Sequence, residues 1–495
     1  MSGKEETKEE VVSAPPLQID YGLRRTNNPK YTYLKIPMSN LPTGLVNSIT
    51  ATTTQLLEWK LPSSRVYNLS RSYISGNINF PAQGASKYTW MFEDSLSIAN
   101  QIRFGTAGGL DLVNLTNANN YSKIAMKLNT PIDKLLTAGE KDGLYKCNSA
   151  FDANIVPGGR NRTGGANMTY AATDNYIEPG YSSTSDANTA YNKYFQIELG
   201  KYAGTMLAVD RDFFCPTEMW FRMEAGPGDK MAFMSTCSRA AAMPSPGVDP
   251  NPVFPFQPPA SNPAAGAASL AAPPTLNNVF LHLAVEQNKV INATMLNLFE
   301  NHALRFQIPY TVCLKQVGGA ANSTTNISHQ LSNTYGNRLK RITHTVWNGQ
   351  EKFNTAYDIS NFNGEKIESY QTFLESRALQ DRVLTCLQPS GVNMNSDDWM
   401  ENRRFCTKDS CITSQGCYAT NWFHMDQFYE AHDKDKSLPE CNLEEGLPMK
   451  IPMTWQITAN IPSGGLAGLV HYTFAEFSRI VDIAPEGPKF IAAEV

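Results

Sequence analysis

The stretch NNVFLHLAVEQNKVINATMLNLFENHALRFQIPYTVCLKQ, Asn277–Gln316, decides how the chain is divided. Its first part, NVFLHLAVEQ, reads as one strand. NKVINATMLNLFENHA follows, with Ile291, Met295, Leu298 and Phe299 at helical spacing, so a short helix is expected from Val290 to about Ala303. LRFQIPYTVCLKQ is then a second strand. A lone strand that passes through a short helix into another strand reads as the end of one barrel leading into the next.

Upstream lies Ala241–Pro274, AAMPSPGVDPNPVFPFQPPASNPAAGAASLAAPP, with ten of the chain's 30 prolines and no charge but Asp249. Each proline removes an amide donor and fixes φ, so neither a helix nor a paired strand tolerates that density. The segment is either a linker between two halves or a long loop of one of them; because the strand behind it reads as the last of the first barrel, the favoured reading is a loop inserted between that barrel's two final strands. Long loops without structure of their own are surface features and often functional.

Outward from this point the dominant period is two. In LPMKIPMTWQITANIP, Ile451, Met453, Trp455, Ile457, Ala459 and Ile461 share one face, against Pro452, Thr454, Gln456, Thr458 and Asn460. YFQIELG alternates through Phe195, Ile197 and Leu199, and LVHYTFAEFSRIVDI through Val470, Tyr472 and Phe474. MWFRMEA and KMAFM around Gly226, Pro227 and Gly228 read as a hairpin. RITHTVWNGQ places Ile342 and Val346 on one strand face ahead of an Asn348-Gly349 turn. The other helical pattern is GEKIESYQTFLESRALQD, with Ile367, Tyr370, Leu374 and Ala378 on one stripe. Short strands between polar loops describe antiparallel sandwiches or barrels, not alternating strand–helix units.

At 495 residues the chain has room for about two to four domains. Hydrophobic residues make up 41% of it, enough for large cores, whereas charged residues make up only 18%, below the ~25% of ordinary soluble domains. A neutral polar skin of this kind suits a protein packed against copies of itself. A net charge of −4 leaves no global basic field for nucleic acid. Arg338, Lys340 and Arg341, like Arg403 and Arg404, read as solvated surface or interface charges. MSGKEETKEEVVSAPP has no apolar core of a secretory signal and reads as a mobile tail. No apolar run approaches the ~18–20 residues of a membrane span. Nine cysteines without such a signal suit free thiols in a reducing compartment. Sequons at Asn68, Asn114, Asn161 and Asn292 then reflect the abundance of Asn and Thr.

Several stretches carry a family resemblance. They are NNPKYTYLKIPMS, FQIELGKYAGTMLAVDRDFFCPTEMWFRMEAG, the opening Asn277–Gln316 stretch, NRLKRITHTVWNG, and NTAYDISNFNGEKIESYQTFLESRALQD. In pattern and order, over roughly Tyr31 to Ile483, the chain resembles the double jelly-roll major capsid proteins of icosahedral double-stranded DNA viruses, of the polinton-like, virophage and adintovirus type. The resemblance implies an all-β fold of two antiparallel eight-stranded jelly-roll barrels in tandem, with short helices and long loops. It divides the chain into a tail (residues 1–30), a first barrel (31–290) bearing the exposed Pro/Ala-rich loop 241–274, a helical connector (291–303), a second barrel (304–485) and a short tail (486–495). It further implies homotrimeric, pseudo-hexameric capsomers contacting neighbouring capsomers, with penton and minor capsid proteins as further partners. The virion is then the location, with assembly inside the host cell; contact with an internal membrane stays open. The Pro/Ala-rich loop and the segment Cys406–Cys441 depart from the family pattern.

Catalytic motifs are absent: no GxSxG, HExxH, Walker A or GxGxxG occurs in its required context. GTAGGL from Gly105 lacks the Lys-Ser/Thr that reaches a phosphate and reads as a turn. Cys406, Cys411, Cys417, His424 and Cys441 have the right ligand chemistry for zinc, but their spacing is too wide for a knuckle, so free or opportunistically paired thiols are expected. Asp397 with Asp398, and Asp433 with Asp435, lack the glycine and closing glutamate of a calcium loop. The histidines do not cluster along the chain, and His344 reads as a packed strand residue. No His/carboxylate constellation is visible. No catalytic, cofactor-binding or metal residue is therefore nominated, and a non-enzymatic structural protein is expected. The alternative is an intracellular β-sandwich carbohydrate-binding protein or hydrolase, with Trp347, Trp422 and Trp455 as a stacking platform.

Overall fold

The computed structural model describes residues 31–46, 49–50, 53–80, 89–92, 95–106, 109–122, 181–186, 191–228, 232–235, 274–302, 304–320, 322–347, 367–385, 423–428, 446–461, 469–484 and 487–491. In chain order the first part carries β1 (Tyr31–Pro37), β2 (Gln55–Leu61), β3 (Arg65–Phe80), β4 (Thr89–Phe92), β5 (Ala99–Thr106) and β6 (Asp111–Thr116). Then come β7 (Tyr181–Asp186), β8 (Tyr191–Glu198), β9 (Asp212–Cys215), β10 (Met219–Ala225), β11 (Ala232–Ser235) and β12 (Thr275–Glu286). A helix, α1 (Lys289–Asn301), follows. The second part carries β13 (Leu304–Gly318), β14 (Ser323–Leu331), β15 (Arg338–Trp347), β16 (Ser369–Leu374), β17 (Arg377–Ala378) and β18 (Leu384–Thr385). It ends with β19 (Phe423–Gln427), β20 (Leu447–Pro448), β21 (Met453–Ile461), β22 (Leu469–Ala484) and β23 (Gly487–Ile491).

These strands make the same object twice. One sheet of the first part runs β1-β12-β3-β8, with β9 also on β3, and the facing sheet runs β2-β10-β5-β6. The second part repeats the order as β13-β22-β15-β19 and β14-β21-β16-β17. In both, the first strand lies beside the last, the third comes next and the sixth stands outside. The second, seventh, fourth and fifth strands form the other sheet. That order is the jelly roll, two Greek keys wrapped face to face. The chain is thus all-β, a double jelly roll. An additional sheet, β11-β4-β7, is built from segments between consecutive barrel strands of the first roll.

Alternation explains the cores. Leu57, Trp59 and Leu61 of β2 and Met219, Phe221 and Met223 of β10 point inward and are buried, while Arg222 and Glu58 meet on the outer face at 2.6 Å. In β21, Trp455, Ile457, Ala459 and Ile461 are buried, whereas Ile451, expected on the same face, precedes the strand and is 64% exposed. On α1, Ile291, Met295 and Phe299 turn inward, and the Asn288 side chain accepts from the Val290 amide at 2.9 Å as its N-cap.

Two expected elements differ. The helix expected over GEKIESYQTFLESRALQD is instead β16, a turn and β17. Glu375 and Ser376 have φ of 49° and 68°, which no helix allows. Tyr370 and Thr372 are buried neighbours at period two, and Tyr, Thr and Phe favour the strand. The expected hairpin of MWFRMEA with KMAFM does not form either. β10 pairs with β2 and β5, and β11 pairs with β4. β10 already has a neighbour on each side, so no edge is left for β11.

Ala241–Pro274, apart from Pro274, falls outside the described residues; the strands that flank it, β10 with β11 upstream and β12 downstream, all belong to the first roll's sheets. The Asn348-Gly349 turn also lies outside them. β5 and β6 pair antiparallel on either side of the GTAGGL segment. Among the described residues no helix is long and apolar enough to cross a membrane.

Candidate functional site

The β13-β22-β15-β19 sheet is buried on both faces. Its inner face, with Leu339, Ile342, Val346, Ala475 and Phe477, closes the second roll's own core. Its outer face, with Val470, Tyr472, Phe474 and Met425, belongs to the core of the first roll. This is the joint between the barrels. A β-bulge between Leu339 and Arg341 pairs Arg341 with Glu476 on that outer face. Arg341 donates from Nη2 to Glu476 Oε1 at 2.9 Å and from Nε to Oε2 at 3.2 Å, and both side chains are at most 1% exposed. Tyr121 of the first roll donates its hydroxyl to the same carboxylate and packs on Phe474, ring centroids 4.9 Å apart. Thr311 Oγ1 donates to the Gly204 carbonyl at 2.6 Å. Gly204 has φ of 72°, and a Cβ there would run into the Tyr121 hydroxyl, Thr311 Oγ1 and the Glu476 carboxyl group. Glycine meets both the backbone and the space requirement.

The equivalent outer face of the first roll, on β1-β12-β3-β8, is open. Tyr33 and Tyr194 are more than half exposed there. Tyr73 packs against Tyr33 at 5.5 Å and stacks on His282 at 4.5 Å, and Lys35 sits over the Phe280 ring at 3.8 Å.

Inside the second roll lies a polar group that the sequence does not announce. His344 on β15 has Nδ1 2.8 Å from Thr473 Oγ1 and Nε2 3.2 Å from His471 Nδ1 on β22. His329 on β14 stacks on Trp455, with which His344 also packs. His424 on β19 has Nε2 2.9 Å from Asp426 Oδ1 and Nδ1 2.8 Å from Tyr370 Oη. Asp426 also accepts from Trp455 Nε1, Thr372 Oγ1 and Gln380 Nε2. All four imidazoles are buried. Burial holds His329 and His471 down to about 4, and holds His344 well below the ordinary histidine range, with His471 a further cause.

Several sequence expectations are thereby corrected. The histidines do cluster, because strands distant in sequence converge on one core. A His/carboxylate pair exists as His424 and Asp426, two residues apart on one strand and so on one face, which is the signal that could have revealed it. Both side chains lie inside the second roll, His424 1% and Asp426 6% exposed. Of the residues read as solvated surface or interface charges, Lys340 is buried and Arg341 is buried in the joint against Glu476. Arg338 is half-buried. Trp455 is fully buried with its indole N–H bonded to Asp426, so it offers no stacking platform; Trp422 lies outside the described residues. So do Cys406, Cys411, Cys417 and Cys441, both aspartate pairs, Arg403, Arg404 and Asn161. Asn68 is buried among Asp210, Ser70 and Tyr31. Asn292 accepts from the Val66 amide at 2.8 Å. Cys215 is a free thiol, and burial pushes it up to about 12.

What the geometry defines is a pair of joined jelly rolls with one sheet face covered and its counterpart open. No family model and no curated protein matches the sequence. Among solved structures, a chain of the Sputnik virophage is similar over 100% of this chain and 95% of that one, with a TM-score of 0.51 and 10% identity. That likeness shows a shared fold. The capsid of the virus PBCV-1 gives a TM-score of 0.49 at 8% identity, covering 95% of this chain and 98% of that chain. The major capsid protein of mavirus gives 0.44 at 8% identity, covering 100% and 97%.

Proposed function

We propose that this chain is the major capsid protein of an icosahedral double-stranded DNA virus, a structural protein without catalytic activity. Three copies close into a ring of six barrels, and such capsomers tile the shell in the virion, where penton and minor capsid proteins adjoin them. The observation that carries this is the asymmetry between two equivalent faces. Within the chain, the outer face of the second roll's β13-β22-β15-β19 sheet packs on the first roll. The same face of the first roll presents Tyr33, Tyr73, Tyr194 and His282 with no part of the described chain covering Tyr33 or Tyr194. If the next chain's second roll covers it in the manner of the intrachain joint, the contact is head-to-tail and closes after three chains. On this reading residues 31–290 and 304–485 are the two barrels, 291–303 is the connector, 1–30 and 486–495 are tails, and 241–274 is a loop on the outer surface of the capsomer.

The test is size and its loss. The purified 54.8 kDa chain is expected to run as a trimer in light scattering, and Tyr33→Glu/Tyr194→Glu as a folded monomer. A wild-type chain that stays monomeric in every buffer, or a double variant that still trimerises, overturns the reading.

A further inference from the structure

We propose that the second roll is an acid-operated release: at mildly acidic pH, protonation of His329, His344 and His471 breaks its core contacts and opens that barrel. The device belongs to the chain itself and stands whether or not the chain assembles. The titratable groups that face one another are His329 from β14, His344 from β15, Tyr370 from β16, His424 and Asp426 from β19, and His471 from β22. The His344–His471 contact, Nε2 to Nδ1 at 3.2 Å, needs one donor and one acceptor. Protonating both rings makes both nitrogens donors and breaks it. His329 Nε2 is buried with no hydrogen-bond partner, so a proton taken up there leaves a charged N–H without an acceptor; at His471 the Gly318 backbone favours the proton, and burial outweighs it. Asp426, the carboxylate of the group, is already occupied by His424, Trp455, Thr372 and Gln380. His424 differs in having a partner at each nitrogen, Asp426 Oδ1 at Nε2 and Tyr370 Oη at Nδ1.

The sign follows from linkage. The fold holds the His329, His344 and His471 rings neutral, while the unfolded chain takes up protons below about pH 6.5. Stability is therefore level above about pH 7 and falls between about pH 6.5 and the folded-state values near 4 of His329 and His471. His282, on the first roll, is also lowered by burial, but it is half-buried and bonded to Ser75.

Thermal unfolding and amide hydrogen exchange of the full chain at pH 7.5 and 5.0 test this. The unfolding midpoint is expected to drop by about 10 °C, with exchange rising first in β14, β15, β21 and β22. In His344→Gln/His471→Gln the drop should shrink by half or more. His302→Gln, at an exposed site, should keep the full drop. A midpoint that does not move with pH, or a drop undiminished in the double variant, overturns the proposal. Should the double variant not fold, the wild-type exchange map decides: acid-enhanced exchange confined to the first roll, or spread evenly over both, overturns it.

Discussion

At the scale of single residues, Arg341 and Glu476 are the clearest case of a side chain whose role depends on what lies opposite. An ion pair at most 1% exposed is costly to desolvate and costlier to break, since the survivor is left as an unpaired buried charge. Arg341→Met alone is expected to cost about 3–5 kcal/mol in denaturant unfolding. Arg341→Met/Glu476→Leu should recover most of that, incompletely because the Tyr121 hydroxyl loses its acceptor. A double variant no better than the single one would show that the pair itself holds the joint. In sequence Arg341, Thr343 and Thr345 form the polar side of a strand whose other side is Ile342, His344 and Val346. Such alternation predicts a solvated face, and here a second barrel covers it.

At the scale of elements, α1 was legible because Ile291, Met295, Leu298 and Phe299 recur at helical spacing. Asn288→Ala removes the cap and is expected to cost about 1 kcal/mol, read as a lower unfolding midpoint. The segment Ile367–Ala378 was not legible as a strand, because its apolar residues Ile367, Tyr370, Leu374 and Ala378 recur at helical spacing, while the buried strand face pairs Tyr370 with the polar Thr372 and so shows no apolar alternation. The β10–β11 hairpin failed for a different reason. Turn residues were present at Gly226, Pro227 and Gly228, but both sides of β10 were already taken by strands from elsewhere. A turn signal records that the chain bends, and pairing depends on which neighbours are free.

At the scale of the whole molecule, the two rolls share a core and are not beads on a string. Residues 304–495 expressed alone would expose Val470, Tyr472 and Phe474 and strand the Arg341–Glu476 pair at a new surface. That fragment is expected to bind a hydrophobic dye and to melt without a sharp transition, whereas the full chain melts cooperatively. A fragment with native-like cooperative melting would mean that the joint is not needed for folding.

The sequence by itself determined that the protein is all-β, that a short helix links two strand-rich halves, and that no known catalytic motif is present. Those properties depend on local periodicity and on residue types along one strand. Only the tertiary structure decided that β15 and β22 are buried on both faces, that four histidines from four strands meet beside Asp426, and that one outer sheet face is covered while its twin is bare. Each of these depends on pairings between residues more than a hundred positions apart, such as His344 with His471. Periodicity along a strand carries no information about which distant strand lies across from it.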